Sequence, residues 1–107
     1  MADFALIGKF FDNNWQSVSV AIFQFGNIVV DNPPGTVVSP NPDNGDPKGE
    51  INHPVTLPVG SYIISIAGDS DGTFAFDVPG NGFTINPPVP KRYNGAFNDN
   101  YQLTVLV

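Results

Sequence analysis

Hydrophobic and polar positions alternate with a period of two along most of this 107-residue chain. An amphipathic helix would instead show a period of about 3.6 residues, and no segment has that pattern. Alternation of this kind is typical of β-strands that bury one face. The alternating segments are 4–10, 18–22, 51–57, 62–66, 74–78 and 103–107.

Glycine and proline, eleven of each, divide these segments and work against long helices. Four dipeptides are typical of turns: Asn44-Gly45, Asp71-Gly72, Asn81-Gly82 and Asn94-Gly95. We therefore predict one hairpin from Ser61 to Val78 that turns at 69–72, and a second from Phe74 to Ile85 that turns at 79–82. The pattern predicts a single antiparallel β-sandwich domain over residues 1–107, of jelly-roll or Greek-key type, with eight or nine short strands.

Some predicted strands are apolar on both faces. Phe23 and Phe25 lie on the face opposite Ile22, and Ile63 lies opposite Ile64. Such strands would lie centrally in the sandwich or bury their outer face against another subunit. A homo-oligomer is the expectation that follows.

The segment from Asp31 to Gly49 differs in composition from the rest of the chain, because it is rich in Pro, Asn, Asp and Gly. Proline fixes φ and removes backbone donors, so an exposed but stiffened loop is predicted over 31–49. A stiff loop loses little entropy when it docks, which would suit a protein–protein interaction module, a particle or fibre subunit, or a protease inhibitor.

One short motif occurs twice. Phe11-Asp12-Asn13-Asn14-Trp15-Gln16 near the start matches Phe97-Asn98-Asp99-Asn100-Tyr101-Gln102 near the end, position by position in chemical class. Asn and Asp are good turn formers, so the bland interpretation is two turns whose flanking aromatic residues pack into the core.

The functional interpretation is that the two copies meet, because the first and last strands of a sandwich are often neighbours. Calcium takes six to eight oxygen ligands, and amides and carboxylates also suit sugar hydroxyls. An aromatic ring could stack on a sugar. The predicted ligand-binding residues are Asp12, Asn13, Asn14, Trp15, Asn98, Asp99, Asn100 and Tyr101, and those for a metal are Asp12, Asp99 and Asn100.

The end of the chain, from Asn94 to Tyr101 and on into the apolar residues 103–107, resembles the end of the small calcium-dependent bacterial lectins. In that group an Asn/Asp-rich loop leads into the last strand and holds calcium, which in turn ligates a sugar. The resemblance implies a lectin with calcium as an assisting ion.

Charge and composition argue against two other classes of function, nucleic-acid binding and catalysis. Four basic residues against ten acidic ones give a net charge of -6, whereas a nucleic-acid binder needs a cationic surface. Cysteine is absent, and His53 is the only histidine; it lies between Ile51 and Val55 on the apolar side of its segment, which favours a partly buried position. No nucleophile-elbow, Walker or dinucleotide-binding pattern occurs, so we do not expect an enzyme.

The hypothesis that follows is a non-catalytic lectin that binds a glycan or small saccharide. Weak single sites usually act together, so multivalent binding by a homo-oligomer is expected. The alternative is an interaction or structural module that uses the Pro-rich loop 31–49. We expect no membrane insertion and, from the N-terminal residues, no signal peptide.

Overall fold

The computed structural model describes residues 1–11, 16–31, 37–38 and 50–107. This part of the chain consists of β-strands and their connections, without a helix. The strands are β1 (Ala2–Phe11), β2 (Gln16–Gln24), β3 (Asn27–Val30), β4 (Val37–Val38), β5 (Glu50–Leu57), β6 (Gly60–Asp77), β7 (Gly80–Asn81), β8 (Phe83–Asn86) and β9 (Lys91–Val105). The all-β prediction is confirmed, and the nine strands of the described residues fall within the predicted eight or nine, although β6 and β9 are long, with 18 and 15 residues.

All strand pairs are antiparallel, and the two long strands connect the two halves of the sheet. The first part of β6 lies between β2 and β9, while its second part lies between β1 and the start of β9. Strand β5 extends the sheet beyond β1, β3 extends it beyond β2, and β8 pairs with the end of β9. The sheet therefore curls over itself into a sandwich-like arrangement.

The core forms between the inward faces of this curled sheet. Along the parts of the strands that face the core, every second residue is buried, as in Val18, Val20 and Ile22 of β2. Rings from different strands meet inside: the centroids of Phe10 and Phe74 are 4.8 Å apart. Gly8 leaves the space for this packing, because a Cβ atom there would lie 2.7 Å from the Phe74 ring.

The two predicted hairpins are wrong. Residues 69–72 do not turn the chain back; β6 continues through them, and its register against β9 shifts between Ser70 and Phe74. Extra residues in one strand can be absorbed as an irregularity in the ladder, without a reversal of direction. Residues 80–81 pair with β1, and β8 pairs with β9, so the second predicted hairpin is not formed either.

The expectation that the first and last strands are neighbours is also wrong for the described residues. Strand β1 pairs with β5, β6 and β7, whereas β9 pairs with β6 and β8. The second part of β6 therefore separates β1 from the start of β9. His53 lies in β5 and is partly buried, as predicted.

Candidate functional site on the outer face of strand β9

The second copy of the repeated motif lies within strand β9 and not in a turn. Successive residues of a strand point to opposite faces of the sheet. Asn98, Asn100 and Gln102 are exposed, whereas Tyr101 between them is fully buried and Asp99 is partly buried. The alternation thus separates the motif into an outward amide row and an inward set of side chains.

The residues of β6 beside Asn98 and Asn100 are small, whereas Gln102 pairs with Ile63. Asn98 pairs with Ala67 of β6, which pairs in turn with Ser19 of β2. One step along the strands, Asn100 pairs with Ser65 in the same way. Paired residues on one face have Cβ atoms about 4.5–5.5 Å apart, so short side chains next to the amides leave their polar groups accessible. The result is an exposed and mostly uncharged surface around Asn98 and Asn100.

Directly beneath the amide row, a chain of hydrogen bonds connects three inward side chains. The Tyr93 hydroxyl donates to Asp99 Oδ2 at 2.9 Å. The hydroxyls of Tyr93 and Tyr101 are also hydrogen-bonded to each other. Since the Tyr93 proton is directed to the carboxylate, the Tyr101 hydroxyl must donate to Tyr93. This gives a directed chain from Tyr101 through Tyr93 to Asp99.

Lys91 completes this cluster from the edge of the sheet. Its Nζ lies 2.9 Å from Asp99 Oδ2, and it also lies 5.2 Å from the centroid of the Tyr93 ring. The hydrogen bond from Lys91 lowers the pKa of Asp99, and the same bond raises the pKa of Lys91. Burial raises the pKa of both tyrosines, so both hydroxyls keep their protons at neutral pH.

Stacked rings hold the cluster against the core. The Tyr93 and Phe97 rings stack with centroids 4.4 Å apart, and Phe97 in turn lies 6.0 Å from Phe74. Tyr101 packs against Phe76 at 5.4 Å. Because these contacts fix the inward residues of β9, they also fix the backbone that carries the outward amides.

An open groove of about 200 Å³ lies on the outer face near the start of β9. It is lined by Ile7, Lys9, Ala75, Phe76, Asp77 and Pro90. Arg92 pairs with Ala75 at its border, and its guanidinium carbon lies 5.6 Å from the centroid of the Phe11 ring. Drug-sized ligands usually occupy about 300–1,000 Å³, so this groove could take only a small group at one end of a longer ligand.

The predicted site residues have different outcomes. Asp12, Asn13, Asn14 and Trp15 lie outside the described residues, so the composite pocket stays a prediction. Asn98 and Asn100 are exposed on one face, as a binding role requires. The stacking role predicted for Tyr101 is wrong, because its ring is fully buried and cannot contact a ligand on the surface.

The metal prediction gains no support from the described side chains. Asp99 points inward, and its two carboxylate oxygens accept bonds from Lys91, Tyr93 and the backbone N–H of Asn100. Nowhere in the ranges that the structure describes do three or more His, Cys, Asp or Glu side chains form a group suited to a metal ion. The loop predicted over residues 31–49 lies mostly outside the ranges that the structure describes, so its exposure and stiffness stay predictions.

Sequence reasoning missed Gln102 as a surface residue and Tyr93 as the partner of Asp99. The signal for Gln102 was present, because it has the same parity as Asn98 and Asn100 if the strand is extended backwards from Leu103. Tyr93 had no such signal, since Asn94-Gly95 was interpreted as a turn. Gly95 instead has a φ of 71° within β9, where it pairs with Ser70.

No protein-family model matches this chain, and the searches of curated proteins and of solved structures found no significant similarity. The lectin resemblance therefore remains an interpretation of the residues at the end of the chain. The described part of the chain also contains no helix long and apolar enough to cross a membrane.

Proposed function

We propose that this is a carbohydrate-binding protein that recognises sugar hydroxyls through the outer face of β9. One observation supports the proposal above all: Asn98, Asn100 and Gln102 are exposed on a single face, and the first two pair with the short side chains of Ala67 and Ser65 in β6. Three amides in one row are unusual on a strand, because Asn is depleted in strands and gains nothing from packing when it is exposed.

The chemistry of an amide fits a hydroxyl-rich ligand. Each amide offers two donors and an acceptor with two lone pairs, while each sugar hydroxyl both donates and accepts. An uncharged ligand also avoids the repulsion that an anionic ligand would meet on a protein with a net charge of -6.

The length of the row indicates the size of the ligand. A strand rises about 3.4 Å per residue, so Asn98 and Gln102 are about 14 Å apart along β9. A ligand that contacts all three amides must therefore be an extended oligosaccharide and not a single sugar ring.

The rigid layer below the amides is the second support for the proposal. Binding costs less when the contacting groups are already fixed before the ligand arrives. The buried Tyr101 and the paired Asp99 flank Asn100 on both sides in sequence. The proposed role of Asp99 is thus to hold the strand, and sugar recognition by the amide row does not require calcium.

A glycan array with and without EDTA, followed by titration of the best glycan, tests the proposal. The double variant Asn98→Ala/Asn100→Ala should bind on the order of tenfold more weakly or worse, because each lost neutral hydrogen bond contributes about 0.5–1.5 kcal/mol. Asn52→Ala is the matched control, since Asn52 is an exposed Asn in strand β5. It should bind like the unchanged protein.

Two results would overturn the proposal. One is the absence of any bound glycan in either condition. The other is a glycan whose affinity is the same for the double variant and the unchanged protein, with both proteins folded by circular dichroism. Loss of binding in EDTA alone, with the amides still required, would restore the predicted role of calcium beside them.

A further inference from the structure

Phe25 occupies an unfavourable position in the turn between β2 and β3. Its side chain is 91% exposed, and its φ is 51°, which is the left-handed region. Gly26 follows with a φ of 79°, so both central residues have the positive φ that a type I′ turn requires. Asn, Asp or Gly usually fills the first of these positions, because a bulky residue is strained there.

Phe25 therefore destabilises the isolated chain in two ways, through its strained backbone and through its exposed apolar ring. Residues of this kind persist where they contribute to binding. The next strand is also apolar and exposed, since Ile28 and Val29, on its two faces, are 53% and 42% exposed. An exposed aromatic ring with aliphatic neighbours is the usual composition of an interface anchor.

Strand β3 also has one edge that no strand of the described residues pairs with. It pairs with β2 on one side, and no other described strand pairs with it. Proteins commonly protect such edges with proline or charged side chains. Strand β5 at the far end of the sheet has Pro54, which lacks a backbone N–H, whereas β3 has neither a proline nor a charge.

From these observations we infer that β3 and its turn form a self-association surface whose occupant is a second copy of this chain. An edge strand is completed by another strand, and antiparallel pairing is reproduced by a two-fold axis. With the two-fold axis at Val29, that residue would meet its own copy, and Ile28 would lie opposite Val30 of the second copy. The two sheets would join into one continuous sheet.

Charge favours a second copy over a basic partner. A surface selected for a basic protein would carry carboxylates, yet no residue from Gln24 to Val30 is charged. Each copy has a net charge of -6, so two copies repel at long range and salt should strengthen their association. Association with a basic partner would instead weaken with salt.

Sedimentation velocity across a concentration series tests the inference. The unchanged protein should form dimers that tighten with added salt. Ile28→Lys should weaken dimerisation by about tenfold or more, because it places a charge in a buried apolar contact. Leu106→Lys is the matched control, since Leu106 is 57% exposed and lies beyond the end of β9, on the other side of β2 and β6. It should dimerise like the unchanged protein.

A cysteine variant locates the contact directly, because the chain has no cysteine of its own. Under mild oxidation Val29→Cys should form a covalent dimer much faster than Leu106→Cys. A protein that is monomeric up to millimolar concentration would overturn the inference and leave the edge to a strand of a different protein. So would a dimer that resists Ile28→Lys, or equal cross-linking rates for the two cysteine variants.

Discussion

The hydrogen-bond chain beneath β9 predicts that its two tyrosine hydroxyls contribute unequally to stability. Tyr93→Phe removes the middle member, which leaves the buried Tyr101 hydroxyl without its acceptor and takes a donor from Asp99. A buried polar group left without a partner costs about 1–3 kcal/mol. Tyr101→Phe removes only the last donor, so its cost should be about 0.5–1.5 kcal/mol.

The double variant distinguishes this arrangement from two independent bonds. With both rings changed to Phe, neither hydroxyl of this pair is left buried without a hydrogen-bond partner, and Asp99 keeps its contact with Lys91. The double variant should therefore be more stable than the sum of the single costs predicts, with a coupling of about 1 kcal/mol or more. Tyr62→Phe is the control, because its buried hydroxyl donates separately to the Pro58 carbonyl at 2.9 Å. The destabilisation by Tyr62→Phe should be additive with that of Tyr93→Phe or of Tyr101→Phe.

Urea denaturation measures these differences, provided that the slope against urea stays constant across the variants. The expected order of destabilisation is Tyr93→Phe above Tyr101→Phe. A larger cost for Tyr101→Phe, or full additivity of the two changes, would refute the directed chain.

Three further predictions concern stability. Phe25→Asn should raise the free energy of unfolding by about 0.5–1 kcal/mol at dilute concentration, because Asn tolerates a positive φ; a loss in thermal melts would contradict this. Gly68→Ala should destabilise by about 1–3 kcal/mol in urea titrations, since a Cβ there would lie 2.4 Å from the Ser17 carbonyl oxygen; unchanged stability would show that the strands can separate freely. The pKa of Asp99 is lowered mainly by its hydrogen bond with Lys91. The stability that this carboxylate contributes is therefore complete above the ordinary carboxyl pKa of about 4 and is lost as the pH falls through the lower folded pKa. Asp99→Asn should therefore reduce the loss of stability in acid, and an identical acid profile would argue against the ion pair.

The alternating pattern located several strands well because burial of one face imposes it directly. The segments predicted at 4–10, 18–22 and 51–57 lie within β1, β2 and β5. The class of the fold follows from the same pattern. The paths of β6 and β9 could not be predicted from this pattern, because Asp71-Gly72 and Asn94-Gly95 have the composition of turns. Their conformations are set instead by pairing with distant strands, which no local pattern encodes.

The candidate site was only half predictable for a related reason. Composition marked Asn98, Asp99, Asn100 and Tyr101 as one cluster, whereas the strand sends neighbours in opposite directions. Of the three exposed amides, Asn98 and Asn100 were among the predicted residues and Gln102 was not, and their binding role stays a prediction. The roles of Asp99 and Tyr101 depend on Tyr93 and Lys91, which lie outside the motif, earlier in the same strand β9 and before Gly95 with its positive φ.

The central claim, that the outer face of β9 binds a saccharide, is tested most directly by nuclear magnetic resonance of the nitrogen-labelled protein. The protein would be titrated with the glycan that binds best on the array. The side-chain amide signals of Asn98, Asn100 and Gln102 should shift together and saturate with one affinity, while those of Asn52 and Asn81 on other strands stay in place. Shifts confined to residues outside β9, with these three amides unchanged at saturation, would contradict the account.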